Sequence, residues 1–304
     1  MKHGKNLLAC LLCLAGLLRA ATQDAGSGMS LMWATPILEQ PTQPAHLRLA
    51  VRAAAQRAVD EGAAACLRGW AASGALSVSE LNQHLASLAL TQWQHFLTSE
   101  DSPEVNTNVA SKYHNNEAFF RWQQRLDPLA LGVLRSTQET ESTQGGVASP
   151  EGVAAVGVLR ELIRQGVQGF LTEAGAAGGH ATVAADGSVV NAAGEPFVWM
   201  GVLEEAAAHL PHTHSGAVAS GTYYAMADHG AGSLVLEDPR GGGRPPFDNR
   251  RFVAAQPGKL VVFPGWCLHH VTPTQITDEG LPRISFSFNM PGSWEALADV
   301  NVHW

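Results

Sequence analysis

The order of apolar and polar positions predicts helices in the first part of the chain. Residues 45–70 carry Ala, Leu and Val at helical spacing, which predicts a helical stretch there. Ser77 followed by Glu80 forms a capping-box pattern ahead of a leucine-rich run, so another helix is expected to begin at this point. Before these helices, the apolar run Leu31–Leu38 ends in a Pro-containing turn and predicts one strand.

A longer helix is predicted after a polar, Gly-containing linker. Ser149 can cap it, Pro150 suits its first turn, and Gly175 is expected to end it. One face of this helix is entirely apolar and needs a surface to pack against, so we expect the N-terminal helices to buttress another element. Residues at spacings of three and four form the face: Val153, Val156, Leu159, Ile163, Val167 and Phe170.

Beyond residue 196 the pattern changes to short β-rich runs separated by turn signals. Such a series is typical of an antiparallel barrel or jelly roll, and together with the helices it predicts an α+β protein. The predicted strands are Phe197–Val202, Ser220–Met226, Ser233–Glu237, Lys259–Phe263 and Ile284–Asn289.

The N-terminus has the pattern of a targeting peptide. Lys2 and Lys5 precede the apolar run Leu7–Leu18, which is too short to span a bilayer comfortably, so we expect no stable membrane span. We predict entry into the secretory pathway, with organelle transit as the alternative. The predicted division is a targeting peptide at 1–24, an N-terminal strand and helical buttress with low-complexity linkers at 25–195, and a jelly-roll domain at 196–304.

Composition narrows the possible functions. Apolar residues make up 45% of the chain and charged residues 15%, so the chain can bury a core. The formal net charge is −8 and no Lys/Arg cluster is present, which argues against binding nucleic acid. Without the predicted leader only Cys66 and Cys267 remain, too few for a disulfide framework.

His212 and His214 are the first candidate metal ligands. Side chains two residues apart in an extended strand point the same way, so this pair can direct two imidazoles at one point. Neutral imidazoles suit iron, zinc, copper or nickel.

His269 and His270 follow a predicted buried strand and a Pro-Gly turn. A third ligand on a returning strand would complete a facial metal site that leaves positions open for substrate and oxygen. Because neighbouring residues of an extended chain point to opposite faces, only one of the two can face the metal. The other is expected to face solvent or to support the ligands.

Arg283 is the candidate for binding an anion. Alternation places Arg283 and Ser285 on one face of a strand and Ile284 on the other. A guanidinium offers a fork of donors that matches a carboxylate, and the neighbouring hydroxyl can complete a pocket for it.

Taken in order, these blocks resemble a known family. HxH, SGTYYAM, LVLEDPR, PGKLVVFPGWCLHHV and RISFSFN are similar, in order and spacing, to a group of 2-oxoglutarate- and Fe(II)-dependent oxygenases distantly related to the prolyl 4-hydroxylases. The resemblance covers about residues 197–289, and the early run MWATPIL is similar to an N-terminal strand of the group. Residues 45–195 resemble it poorly.

The resemblance implies a double-stranded β-helix (jelly roll) with an iron site. It implies that His212 and His269 bind Fe(II), His269 standing in the family's H-x-V block. It also implies that Arg283, assisted by Ser285, binds the distal carboxylate of 2-oxoglutarate, with Tyr224 lining the pocket in preference to Tyr223. The implied reaction consumes O2 and 2-oxoglutarate and hydroxylates a substrate, which a lumenal or secreted location would suggest is a protein or peptide.

The third ligand departs from the family's usual pattern. Most such oxygenases have His-x-Asp, whereas this chain has His214 where the carboxylate is expected. The group that the chain most resembles also has His-x-His, so we predict His214 as the third ligand. Asp228 or Asp238 is the alternative, although a turn and a strand end are their expected places.

Two other functions are compatible with parts of the pattern. PGKLVVFPGWCLHH approximates the second cupin motif, so a cupin-type metal enzyme that does not use 2-oxoglutarate is an alternative. No Glu follows His214 at the usual cupin distance, and a cupin does not require Arg283. A jelly roll without catalytic activity could instead bind a ligand through aromatic side chains such as Trp199, Trp266 and Trp294, although we expect Trp199 and Trp266 to pack in the core.

Overall fold

The computed structural model describes residues 29–32, 35–98, 121–126, 148–178, 195–214, 216–240, 250–275 and 281–291. The predicted targeting peptide at 1–24 lies outside them. In the described part of the chain, no helix is both long and apolar enough to cross a membrane.

Four helices and eleven strands are described. The helices are α1 (Pro44–Arg57), α2 (Glu61–Ser73), α3 (Val78–Thr98) and α4 (Pro150–Gly178). The strands are β1 (Met29–Met32), β2 (Thr35–Pro41), β3 (Arg121–Leu126), β4 (Phe197–Leu203), β5 (His209–His212), β6 (Ala217–Met226), β7 (Ser233–Glu237), β8 (Arg250–Ala254), β9 (Lys259–Pro264), β10 (His269–Val271) and β11 (Arg283–Pro291).

The start of the chain differs from the prediction. The run Leu31–Leu38 was expected to form one strand, but Met32 pairs with Thr35 and the two halves form an antiparallel hairpin of β1 and β2. An apolar run shows that a segment is buried, but it does not show where the chain reverses direction. β2 then pairs with β9, which joins the hairpin to the main sheet.

Hydrogen bonds with capping side chains decide where two of the helices begin. The helical stretch 45–70 is divided, because Asp60 caps a new helix by accepting a hydrogen bond from the Ala63 backbone N–H at 2.7 Å. The capping box is confirmed: the Glu80 N–H donates to Ser77 Oγ at 3.1 Å, and the Ser77 N–H donates to Glu80 Oε2 at 2.7 Å.

The cap of α4 is also confirmed, but its predicted end is wrong. The Gly152 N–H donates to Ser149 Oγ at 3.1 Å. The helix continues past Gly175 to Gly178. Alanines follow Gly175, and a single glycine inside a helix costs only about 1 kcal/mol, so Gly175 alone does not stop it.

The strands form two antiparallel sheets with the order of a double-stranded β-helix. The larger sheet has the order β1-β2-β9-β6-β11-β4-β3, and the smaller one has the order β5-β10-β7-β8. Along the chain, strands β4 to β11 alternate between the sheets in jelly-roll fashion, except that β7 and β8 follow each other in the smaller sheet. All five strands predicted beyond residue 196 are present, whereas the short strands β5, β8 and β10 were not predicted.

The helices cover the outer face of the larger sheet, as the apolar face of α4 predicted. Leu159, Ile163 and Val167 of α4 share one buried cluster with Phe286 and Phe288 of β11. The protein is thus an α+β jelly roll buttressed by N-terminal helices.

A second apolar cluster fills the space between the two sheets. Tyr224 and Phe263 of the larger sheet pack there with Leu236 and Val271 of the smaller one. Side chains that point inward from either sheet therefore meet in one enclosed space, where the candidate residues lie.

Candidate metal centre

Three histidines meet at one end of this inner space. His212 ends β5, His214 lies two residues later, and His269 begins β10. One ring nitrogen of each histidine can serve as a ligand, and these three atoms all lie within 4.8 Å of one another, which is close enough for them to hold one metal ion. The ring centroids are 4.3 Å apart for His212 and His269, and 5.0 Å apart for His214 and His269.

The HxH pair converges as predicted, but only His212 belongs to a strand. His214 is held by its backbone, whose N–H donates to the carbonyl oxygen of Gly265 at 2.8 Å. Gly265 must lack a side chain here, since a Cβ atom would lie 2.3 Å from the backbone oxygen of Ala217. The Pro264-Gly265 turn after β9 therefore positions His214.

Two of the rings are oriented by backbone carbonyl groups. The Nδ1–H of His212 donates to Leu210 O at 2.7 Å, and the Nδ1–H of His269 donates to Cys267 O at 2.8 Å. A carbonyl oxygen can only accept, so these bonds select the tautomer that leaves Nε2 unprotonated. Metal-binding histidines commonly show this arrangement.

The surroundings favour neutral rings. Burial, with a smaller effect of His212, lowers the pKa of His214 to about 4. Burial and the neighbouring His212 also lower the pKa of His269 well below its ordinary value. A metal ion binds only the neutral imidazole, so protons do not compete for these two ligands near neutral pH.

His270 lies on the opposite face of β10 from His269. Its Nδ1 is 3.2 Å from Glu237 Oε1, and its side chain is half-buried. Backbone alternation therefore separates the two neighbouring histidines and leaves His269 at the cluster.

Neither alternative carboxylate reaches the cluster. Asp238 binds Arg240 through both of its oxygens, at 2.9 and 2.8 Å. Asp228 accepts a hydrogen bond from the Gly230 N–H at 2.8 Å within a turn. Among the described residues, the group that could hold a metal thus contains three histidines and no carboxylate.

Arg283 is buried on the inner face of β11. Its side chain is 2% exposed, and it forms no ion pair with a carboxylate of any described residue. Its Nη1 donates to Ala231 O at 3.3 Å, whereas Nε has no hydrogen-bond partner. Burial lowers the pKa of the guanidinium, but an arginine keeps its charge at neutral pH.

Tyr224 lies beside Arg283, and Tyr223 does not. The guanidinium carbon of Arg283 is 5.0 Å from the centre of the Tyr224 ring. The Tyr224 hydroxyl is buried without a partner, whereas the Tyr223 hydroxyl donates to Asn82 of α3 at 2.7 Å. The two tyrosines point to opposite faces of β6, and only Tyr224 faces the space between the sheets.

A row of polar side chains connects Arg283 with the histidines. Ser285, Ser287 and Asn289 continue the inner face of β11, as the alternation in RISFSFN indicates. Each pairs across the sheet with a polar residue of β6, namely Tyr224, Thr222 and Ser220 respectively.

Sequence reasoning missed three features of this site. The hydroxyl of Thr222 is buried without a partner, and Asn289 Nδ2 lies 3.2 Å from Nδ1 of His214. The polar positions at every second residue of β11 and β6 were the available signal for both. His209 also stacks on His212, with ring centroids 4.0 Å apart, and no pattern indicated it. Trp266, expected in the core, is 42% exposed.

The donor set suits the cofactors of one enzyme family. Three neutral imidazoles can bind Fe(II) and leave coordination positions open. A buried guanidinium and a buried hydroxyl with unused donors suit a carboxylate. Residues 197–289, which contain all of these side chains, match the model of the family described as "Putative 2OG-Fe(II) oxygenase".

Over residues 197–289, about a third of the chain, the protein is thus similar to the 2-oxoglutarate- and Fe(II)-dependent oxygenases. The protein is an oxidoreductase whose cofactor is Fe(II) and whose co-substrates are 2-oxoglutarate and O2.

Comparison with other proteins gives only remote similarity. No curated protein matches the chain. A prolyl-4-hydroxylase from Pseudomonas putida is 13% identical, with 71% of this chain and 88% of that chain covered and a TM-score of 0.41. A prolyl hydroxylase from Trichoplax adhaerens, solved with a hypoxia-inducible-factor peptide fragment, is 11% identical, with 73% and 82% covered and a TM-score of 0.43.

Proposed function

We propose that the protein hydroxylates a substrate with Fe(II) held by His212, His214 and His269. Arg283, with Tyr224 and Ser285, binds the distal carboxylate of 2-oxoglutarate. The observation that carries the proposal is the buried charge of Arg283, which faces the same inner space as the three histidines and has no carboxylate partner among the described residues.

An unpaired buried charge is costly to the folded protein. Removing a guanidinium from water costs several kcal/mol unless a charged or polar partner compensates. One hydrogen bond to Ala231 O leaves most of the donors of Arg283 for another group. A carboxylate can accept two parallel N–H bonds from the fork of Arg283, and the unused Tyr224 hydroxyl can donate to the same carboxylate.

The polar row on β11 and β6 supports one elongated ligand between Arg283 and the metal. Ser285 and Ser287 lie between Arg283 at the start of β11 and Asn289 beside His214. 2-Oxoglutarate has a carboxylate at each end. Arg283 can bind the distal carboxylate, while the 2-oxo acid end binds the metal that the histidines would hold.

Fe(II) with 2-oxoglutarate and O2 supplies the oxidation of a C–H bond, which yields a hydroxylated product, succinate and CO2. The chain orients and shields these reactants. Arg283 fixes the distal end of the acid, and the apolar residues between the sheets exclude water from the buried part of the site. His212, His214 and His269 would hold the Fe(II) at one end of this space.

The proposed substrate class rests on the sequence alone. We propose a protein or peptide substrate reached through the secretory pathway. The support is the leader-like pattern of Lys2, Lys5 and the apolar run Leu7–Leu18. We also propose that the chain is divided into a targeting peptide at 1–24, an N-terminal strand and helical buttress at 25–195, and the jelly-roll domain at 196–304.

An anaerobic titration tests the proposal. Fe(II) and then 2-oxoglutarate are added to the full chain, and the weak visible absorption band of a 2-oxo acid chelated to Fe(II) is recorded. We expect the band to form, and to decay in air with release of succinate. Iron binding without the band would contradict the use of 2-oxoglutarate and would favour the cupin-type function.

Two arginine variants sharpen this test. Arg283→Ala is expected to bind iron as the wild type does and to require a much higher concentration of 2-oxoglutarate for the band. Arg251→Ala is the matched control, because it removes a guanidinium that is half-exposed on the smaller sheet and paired with Glu39. Equal 2-oxoglutarate affinity in wild type and Arg283→Ala would show that Arg283 does not bind the co-substrate.

A further inference from the structure

Asn289 is the residue that connects the polar row to the metal ligands. It lies near the end of β11, on the face that also carries Arg283, and it pairs across the sheet with Ser220 of β6. The Ser220 hydroxyl donates to Asn289 Oδ1 at 2.8 Å, and the amide Nδ2 of Asn289 lies 3.2 Å from Nδ1 of His214. Ser220 is fully buried, whereas Asn289 and His214 are half-buried, so the two contacts are partly shielded from solvent.

The partner of His214 differs in kind from those of the other two histidines. His212 and His269 each donate Nδ1–H to a backbone carbonyl, which allows a single tautomer. His214 faces a side-chain amide, which offers either a donor or an acceptor depending on its rotation. The tautomer of His214 therefore depends on which end of the Asn289 amide faces the ring.

The two rotations have opposite consequences for a metal. With Nδ2 facing the ring, the amide donates to Nδ1, so a neutral His214 carries its proton on Nε2. With Oδ1 facing the ring, Nδ1–H donates to the amide, and Nε2 has a free lone pair, as in His212 and His269. A half-turn of the amide exchanges the two, and the Ser220 hydroxyl can bond either end because it both donates and accepts.

We propose that Asn289 is a positioning residue for iron, its Oδ1 accepting Nδ1–H of His214 and thereby selecting the tautomer that binds the metal. This inference deepens the proposed function and rests on His214 being a ligand. A carboxylate ligand has no N–H to satisfy, whereas an imidazole at this position needs an acceptor beside it. The structure has Nδ2 of Asn289 facing the ring, so the proposal requires a half-turn of the amide that brings Oδ1 to Nδ1 of His214.

Metal affinity of the full chain tests the inference without any turnover. The dissociation constant for Fe(II) is measured anaerobically, without 2-oxoglutarate, for the wild type and three variants. Asn289→Leu keeps the side-chain shape but removes the acceptor, and it should weaken binding about 10–100-fold, the usual loss for such a supporting residue. Asn289→Asp keeps an acceptor and should bind at least as tightly as the wild type. Gln40→Leu is the matched control, because it removes a side-chain amide that contacts His46 and not a metal ligand, and it should bind as the wild type does.

The tautomer can be observed directly. Long-range proton–nitrogen NMR of the full chain, labelled with 15N-histidine and loaded with diamagnetic Zn(II), reports which ring nitrogen of His214 carries the proton. We expect Nδ1 to be protonated and Nε2 to be metal-bound. A proton on Nε2 of His214 in the loaded protein would overturn the inference. This measurement can overturn the inference even if Asn289→Leu does not fold, because it needs only the wild type.

The possible failures are distinguishable. If the wild type binds no metal, the proposed function fails and the role of Asn289 fails with it. A second outcome is that the wild type binds iron and that Asn289→Leu, shown to be folded by its circular dichroism spectrum, binds iron equally well. In that case only the role of Asn289 is wrong. An equal loss in Asn289→Asp and Asn289→Leu would also contradict the acceptor role.

Discussion

His269 and His212 are direct partners across the antiparallel strands β10 and β5, and their ring centroids lie 4.3 Å apart. β10 pairs on its other side with β7, so hydrogen bonds fix His269 from both directions. The ligand that comes last in the sequence is thereby held by the centre of the smaller sheet, whereas His214 depends on a turn.

Replacement of His269 is expected to remove tight iron binding. His269→Ala deletes the buried ligand, and the loss of affinity should exceed the roughly 10–100-fold cost of losing a supporting residue. Metal analysis after anaerobic loading with Fe(II) measures the stoichiometry. His270→Ala is the matched control, since His270 faces Glu237 on the other side of the strand. Full iron content in His269→Ala would show that His269 is not a ligand.

The two neighbouring tyrosines should separate co-substrate binding from stability. Tyr224→Phe removes a hydroxyl without a partner, so the free energy of unfolding should not fall, but the affinity for 2-oxoglutarate should decrease. Tyr223→Phe removes the bond to Asn82 and should lower the free energy of unfolding by about 1–3 kcal/mol, with unchanged 2-oxoglutarate affinity.

Chemical denaturation and the anaerobic titration measure the two effects for both tyrosine variants. The assignment of Tyr224 to the co-substrate pocket would be wrong if Tyr224→Phe bound 2-oxoglutarate as the wild type does. A loss of co-substrate affinity in Tyr223→Phe would equally argue against the separation of the two faces.

The metal-free protein should lose stability as the pH falls from about 6.5 to about 4. Folding lowers the pKa of His214 from 6.5 to about 4, so the unfolded chain binds the additional proton first. His269 contributes in the same direction. The stabilisation is complete above the unfolded pKa and is lost as the pH falls toward the folded one, at about 1.4 kcal/mol per unit of pKa difference.

Urea unfolding of the metal-free chain across this range checks the pH effect. His214→Gln has no titrating group at that position, so its stability should decline less steeply than that of the wild type. The carboxylates that titrate at acidic pH are the same in both chains, which makes their difference specific to His214. Parallel profiles would contradict the lowered pKa.

Two glycines should respond in opposite ways to a methyl group. A Cβ atom on Gly221 of β6 would lie 2.1 Å from the backbone oxygen of Val261 and 2.5 Å from Phe288, so Gly221→Ala should destabilise the fold by roughly 1–3 kcal/mol or more. Gly69 lies in exposed helix with nothing within 4 Å of that position, so Gly69→Ala should stabilise by about 0.4–1 kcal/mol. Thermal unfolding distinguishes the signs, and a neutral Gly221→Ala would show that β6 and β9 are not packed so closely.

Several features of the site could be predicted from local pattern. Alternation along β10 and β11 separates His269 from His270 and Arg283 from Ile284, because the side-chain period of a strand is two. The capping box of Ser77 and Glu80 and the five predicted strands follow from the same kind of local rule. Local pattern does not predict where an apolar run reverses direction, as it does between Met32 and Thr35, because the residues on both sides of the turn are apolar.

The sequence by itself determined the class of fold, the helical buttress and the residue types available for a metal and a carboxylate. Only the tertiary structure decided that Tyr224 and not Tyr223 faces Arg283, that Asp228 and Asp238 bond elsewhere, and that Asn289 contacts His214. The reason is physical: periodicity specifies which face of a strand a side chain occupies. What it meets on that face depends on which distant strands pair, and the pairing is set by the packing of the whole core.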